Sequence, residues 1–191
     1  MNKIKIIAIC GKSASGKDTL MKEMLKCDKT LHEIVSCTTR PPREGEVHGK
    51  NYFFLTNQQF ADKIENGKML EATVFRDWCY GTSLDTLDAN EINVGVFNAD
   101  GIDILLDNPQ VSLYVVYVSA SAKTRLLRSL HREEEPDVDE IVRRYLADEK
   151  DFADFYAENC LVSNETNNSL EESARGIIEL ANSHWAKETN L

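Results

Sequence analysis

"GKSASGKDTL" runs from Gly11 to Leu20, and the spacing of its glycines points to one class of fold. Gly11, Gly16 and Lys17 stand at the separation GxxxxGK, a pattern that carries meaning only between a strand and a helix. Before it, "KIKIIAI" (Lys3 to Ile9) is a short β-branched run; after it, "TLMKEMLK" places Leu20, Met21, Met24 and Leu25 on one helical face. Strand, glycine turn and helix in that order aim backbone N–H groups and the positive end of a helix at one point, where they surround an anion. Lys17 adds a mobile cation. A chance glycine turn would lack this flanking order. The loop is therefore expected to hold the phosphates of a nucleoside triphosphate, with Gly11, Ser13, Ser15, Gly16, Lys17, Asp18 and Thr19 around them. Asp18 is the anomaly, because a serine or threonine hydroxyl usually meets magnesium at that position.

The rest of the chain fits this start. Its 191 residues suit one domain with small appendages. Strand-like and helix-like segments alternate without an internal repeat, which predicts an α/β fold: a phosphate-loop, three-layer architecture with a parallel central sheet. "VGVFNAD" (Val94 to Asp100) and "VSLYVVYV" (Val111 to Val118) read as buried strands, and "CLVS" from Cys160 as another. Residues 35–83 read as mixed β with one helix, opened by the capping box of Thr56 and Gln59 and closed at Gly67. Residues 123–154 read as two charged helices. Ser121 caps the first, whose apolar face is Leu126, Leu127 and Leu130; Val138, Ile141, Val142, Tyr145 and Leu146 stripe the second. "SLEE" (Ser169 to Glu172) is a further capping box, opening a last helix through Ile177, Ile178, Ala181 and Trp185.

With 22 Lys plus Arg against 32 Asp plus Glu, the net charge of −10 argues against a nucleic-acid backbone or an anionic membrane as partner. The five cysteines form no CxxC pair and the four histidines have no metal-ligand spacing, as expected of reduced thiols in a cytoplasmic protein. The apolar run at the N-terminus is too short for a signal-peptide core, and no segment is long and apolar enough to span a bilayer.

A second cluster narrows the chemistry. "SCTTRPPREGEVHGKNYFF" (Ser36 to Phe54) sets Arg40 and Arg43 on a proline-stiffened turn, with Tyr52 entering the next strand. Two guanidinium forks and a phenol can clamp a phosphate, which suits a small phosphorylated acceptor. This stretch resembles the acceptor-binding segment of the guanylate kinase family, S-x-T-T-R-x-P-R-x-G-E-x-x-G-x-x-Y, at every fixed position. The resemblance continues through "MLEATVFRDWCYGTS" (Met69 to Ser83). It implies that Ser36 and Glu71, helped by Thr82, bind guanine, and that Arg40, Arg43, Tyr52 and Tyr80, next to Gly81, hold the phosphate of GMP. A carboxylate accepts from the adjacent N1–H and N2–H₂ donors of guanine, a pair that adenine lacks. Leaving Glu71 unpaired would penalise the wrong base by about 1–3 kcal/mol.

By the same resemblance Asp100 is the second acid of a D-x-D pair that reaches the nucleotide base, although the first acid is Asn98 here. A carboxylate ~5 Å from a phosphate charge is repelled by about 3 kcal/mol at an effective dielectric of ~20 unless a cation intervenes. Asp18 is accordingly read either as facing Mg²⁺, restoring the charge lost at Asn98, or as stabilising only the helix N-terminus. Residues 123–154 resemble the family's lid, with Arg132 and Arg144 as its catalytic arginines; Arg128 and Arg143 are the substitutes if the register slips, because "EEEP" (133–136) departs from the usual turn. Asn164 in "LVSNET" resembles an adenine-side VxN element.

The expected arrangement is one domain: a core of about 1–34, 84–122 and 155–191, a GMP-binding subdomain of about 35–83 and a lid of about 123–154. The expected reaction is phosphoryl transfer from ATP to GMP or dGMP, with Mg²⁺, by a monomer or homodimer. Three alternatives stand beside it: a kinase of several deoxynucleoside monophosphates, a ribose-bisphosphate kinase, which has no reason to keep Ser36, Glu71 and Thr82 together, and an inactive interaction module, which typically lacks the loop and its lysine.

Overall fold

Along Ile4–Cys10 (β1) the side chains alternate between two buried faces, Ile7 and Ile9 against one layer and Ile6, Ala8 and Cys10 against the other, and all five are 0% exposed. A strand covered on both sides belongs at the centre of a parallel sheet. The computed structural model describes residues 3–75, 77–132, 135–155, 159–164 and 169–188. In it β1 is the middle of five parallel strands, flanked by β2 (Leu31–Glu33) and β7 (Ile92–Val96) on one side and by β8 (Val111–Ser119) and β9 (Cys160–Ser163) on the other. The chain leaves β1 towards β2 and returns across it to β8, so the loop after β1 opens where the strand order reverses. In open α/β sheets that crevice is where ligands bind.

Helices α1 (Lys17–Cys27) and α6 (Leu170–Glu188) cover one face through Leu20, Met21, Met24, Ile177, Ala181 and Trp185. Helix α3 (Ala99–Leu106) covers the other through Ile102 and Leu105. Both capping boxes form: Thr56 with Gln59 opens α2 (Asn57–Glu65), and Ser169 with Glu172 opens α6. The second sheet is small and mixed, ordered β4 (Phe53–Phe54), β3 (Cys37–Thr38), β6 (Trp78–Ser83), β5 (Met69–Phe75).

Two expectations are corrected. "VGVFNAD" is not strand throughout: β7 ends at Val96, and Asn98 caps α3 by accepting from the Gly101 N–H at 2.9 Å. Asparagine's short amide competes for backbone partners and so favours a cap over a strand interior. The charged helices α4 (Ala122–Leu130) and α5 (Val138–Asp151) form, with Ser121 capping α4, but their leucine face is not the buried one. Leu127, Leu130, Val138, Val142 and Leu146 are exposed, whereas Arg125 is 4% exposed. Arg125 is buried because its charge is met there: Glu149 lies 2.6 Å and Asp148 3.7 Å from its guanidinium, which stacks over the Tyr145 ring. Of the turn between these helices, Glu133 and Glu134 lie outside the described residues.

Candidate active site

The loop between β1 and α1 depends on its glycines in two ways. Gly11 and Gly16 adopt φ of +139° and +102°, and a Cβ on Gly11 would strike the Val118 carbonyl while one on Gly16 would strike the Asn164 side chain. The backbone therefore turns tightly over β8 and β9. Lys17 Nζ folds back to the carbonyls of Gly11 (2.8 Å) and Lys12 (3.1 Å), and burial lowers its pKa while the charges of Asp18 and Asp148 oppose the shift. Ser15 is 0% exposed, and its hydroxyl has no hydrogen-bond partner among the described residues. A buried, unpaired hydroxyl in a cradle of backbone amides suits an anion with several acceptor oxygens. Beneath the loop, Asn164 Nδ2 donates to the Ser15 carbonyl at 2.7 Å, and Arg128 donates to the same carbonyl at 3.2 Å. Arg128 and Asn164 thus both brace the loop. Asp18 and Thr19 are exposed on the first turn of α1.

Across the crevice, the turn after β3 is held by one carboxylate. Glu46 accepts from the Arg40 guanidinium at 2.8 Å through one oxygen and from the Arg43 N–H at 2.7 Å through the other. Arg40 also lies over the Tyr52 and Phe54 rings, and Tyr52 meets Tyr80 edge to face. The Arg40 fork is thereby aimed before any ligand arrives.

Glu71, 7% exposed, lies opposite Thr82 in the β5–β6 ladder. Burial pushes its carboxyl up to about 7, against the pull of the neighbouring Thr82 groups. The Thr82 hydroxyl is close enough to exert that pull but closes no hydrogen bond of good geometry. Asn98 Nδ2 donates to Thr73 Oγ1 at 3.3 Å and so ties the start of α3 to the same strand, while Asp100 stands exposed on the first turn of α3.

One cleft of about 340 Å³ gathers Gly11, Ser13, Lys17, Ser36, Arg40, Arg43, Tyr52, Glu71, Tyr80, Gly81, Asp100 and Arg144 along its walls. A neighbouring cleft of about 390 Å³ shares Ser13, Arg43 and Arg144 with it and adds Arg132. Arg144 is half-buried, and desolvation with the nearby positive charges of Arg43 and Arg132 lowers its pKa. Glu140 and Asp148 on the same cleft offset part of that repulsion, and the three guanidiniums gathered there form an anion site. Arg143 is exposed and pairs instead with Glu140, at 2.6 Å, itself on the rim of the second cleft. Ser15 and Gly16 belong to the loop itself and Asn164 braces it from below, none of the three lining either cleft, and Thr82 lies behind Glu71, 0% exposed. Chemically, the cleft can grip two anions, one at the loop and one at Arg40 and Arg43, with a carboxyl acceptor beyond the second.

Sequence reasoning did not find Glu46 as the holder of Arg40, nor the pairing of Lys12 and Arg125 with Glu149 and of Ser13 with Asp148. For Glu46 a signal existed, since it fills a fixed position of the matched pattern. For the others none did, because their partners are more than twenty residues apart in the chain.

A family model described as guanylate kinase matches residues 3–181. The guanylate kinase of Thermotoga maritima is 34% identical over 197 aligned positions, covering 97% of this chain and 89% of that protein. That of Prochlorococcus marinus is 31% identical over 184 positions, covering 94% and 97%. The crystal structure of guanylate kinase from Anaplasma phagocytophilum superposes with a TM-score of 0.68 at 19% identity, covering 96% of this chain and 87% of that one, a likeness of fold.

Proposed function

The chain belongs to the guanylate kinase family, and from that premise we propose that it transfers the terminal phosphoryl group of ATP to GMP or dGMP. The observation that carries this reading is the cleft itself, in which Lys17 of the phosphate loop, Arg40 and Arg43 of the turn after β3, and Glu71 of β5 line one space. Residues 35–83 would act as the acceptor subdomain and 123–154 as the lid, moving about the remaining core.

Phosphoryl transfer needs in-line placement and positive charge around the equatorial oxygens of the moving group more than it needs covalent help. The loop amides, Ser13, Ser15 and Lys17 would hold the donor phosphates, with Thr19 near the α-phosphate and Asn164 on the adenine side. Arg40, Arg43, Tyr52 and Tyr80 would hold the acceptor phosphate, and Ser36, Glu71, Thr82 and Asp100 the base. Arg132 and Arg144, beside Arg43, would neutralise charge between the two ends. The orphaned Ser15 hydroxyl and the clustered guanidiniums support that division.

Mg²⁺ is a hard cation that prefers carboxylate, phosphate and water oxygens, and the exposed Asp18 carboxylate beside Lys17 fits it. When bound it would supply further charge neutralisation on the phosphates. Burial chiefly raises the Tyr52 pKa, with Tyr80 and then the Asp18 carboxylate adding to the shift, and this proximity supports a carboxylate on the acceptor side of α1. We read the protein as cytoplasmic, acting as a monomer or homodimer.

The deciding experiment is a coupled assay of ADP release across the common ribo- and deoxyribonucleoside monophosphates. GMP and dGMP are the expected acceptors. Preference for a pyrimidine monophosphate would overturn the base assignment, and ATP binding without turnover of any acceptor would favour the interaction module.

A further inference from the structure

Helix α5 delivers a carboxylate directly onto the phosphate loop. Asp148 Oδ2 accepts from the Ser13 backbone N–H at 2.6 Å, and Oδ1 accepts from the Ser13 hydroxyl at 3.2 Å. The next residue, Glu149, closes a second contact, with Lys12 Nζ at 2.6 Å and with Arg125 at 2.6 Å. Arg125, buried in α4, also approaches Asp148 at 3.7 Å, so the two acids are held against the loop by one anchored cation.

A carboxylate that takes a loop amide and a loop hydroxyl occupies donors a phosphate oxygen would use, and it presents negative charge close to Lys17. We propose that Asp148 is an intramolecular competitor for the donor-phosphate site, setting the affinity for ATP by occupying the loop until a polyphosphate displaces it. The proposal rests on the reading of this loop as the ATP site. The competition has a direction. A triphosphate brings more charge and more acceptor oxygens than one carboxylate and wins the loop, whereas a singly charged anion gains little over Asp148. The apparent dissociation constant is the intrinsic one divided by the fraction of molecules whose loop is free, so a contact engaged in nine molecules of ten weakens ATP about tenfold. Glu149, Lys12 and Arg125 act as the anchor that returns Asp148 to the loop.

The test is calorimetric titration of the full chain, without acceptor, with ATP and separately with inorganic tripolyphosphate, which carries the charge but no base. Asp148→Ala and the near-isosteric Asp148→Asn are compared with the unaltered protein, and circular dichroism verifies that each variant is folded. Both variants are expected to bind ATP and tripolyphosphate about five- to tenfold more tightly, by the same factor for each ligand. Unchanged or weaker binding of both ligands to folded Asp148→Asn overturns the proposal, as does a gain confined to ATP, which would place the effect at the base. Failure of the unaltered protein and both variants alike to bind either ligand would instead count against the loop as an ATP site.

Discussion

Asn164 of the segment after β9 donates its side-chain amide to the Ser15 carbonyl at 2.7 Å, joining the edge of the central sheet to the underside of the phosphate loop. The bond fixes one peptide of the loop, and with it the direction in which the neighbouring N–H groups point. A Cβ on Gly16 would collide with that same amide while forcing an L-residue to φ of +102°. Gly16→Ala is expected to raise KM for ATP by at least about tenfold, from the clash and the strain together. Asn164→Ala leaves Arg128 on the Ser15 carbonyl and should raise it only about two- to fivefold, with KM for GMP unchanged. Initial-rate measurements with each nucleotide varied separately check both.

Glu71 carries a prediction in pH. Its carboxyl keeps its proton up to about 7 in the folded chain, against an ordinary value of 4.5. A neutral carboxyl accepts less well from the paired donors of guanine, so KM for GMP should rise as pH falls from 8 to 6, while KM for ATP stays flat. Stability runs the other way. The folded state holds more protons than the unfolded state between about 4.5 and 7, so this residue's contribution to stability declines as pH rises through that window, by up to ~3 kcal/mol. Glu71→Gln, which is neutral at every pH, should lose GMP preference yet melt higher than the unaltered protein at pH 8. Thermal melts at pH 5 and pH 8 separate the two effects.

Removing positive charge from the middle of the cleft should act on turnover more than on binding. Lys17→Met and Arg144→Met are each expected to lower kcat by on the order of 10²–10³, with a smaller change in KM for GMP, because negative charge shifts onto the leaving oxygen and spreads over the equatorial oxygens as the bond loosens in the transition state. Arg143→Met should change kcat less than about twofold, since the half-exposed Arg143 side chain lines neither cleft. An equal loss at Arg143 would shift the register of the catalytic arginines by one residue.

Asp18→Ser restores the hydroxyl found in most such loops. If Asp18 meets the metal, the variant should need several-fold more Mg²⁺ for half-maximal rate; unchanged or improved dependence would assign Asp18 to the helix N-terminus alone. The expected outcome is the first, and a magnesium titration at saturating ATP and GMP reads it.

Glu46→Gln tests the pre-aimed fork. Losing the charged partner of Arg40 should raise KM for GMP about three- to tenfold and leave kcat within twofold, because the bond positions a binding group without touching the moving phosphoryl.

The central layers and the loop between them can be read from the chain alone. β1, α1, β8 and α6 are legible because their apolar residues recur at the strand or helix period, and the loop because the spacing from Gly11 to Lys17 is a property of contiguous chain. The acceptor turn was legible for the same reason. Which charges face one another is set by the packed fold. Nothing in the sequence of α4 marks Arg125 for burial, yet it is buried because Asp148 and Glu149 arrive from α5 to meet it. Asp148 reads as one acid among many until folding carries it to the Ser13 N–H. Periodicity reports which face of an element is apolar, but the Coulomb energy of a charge depends on distances that span the whole chain, and those exist only after the layers have packed.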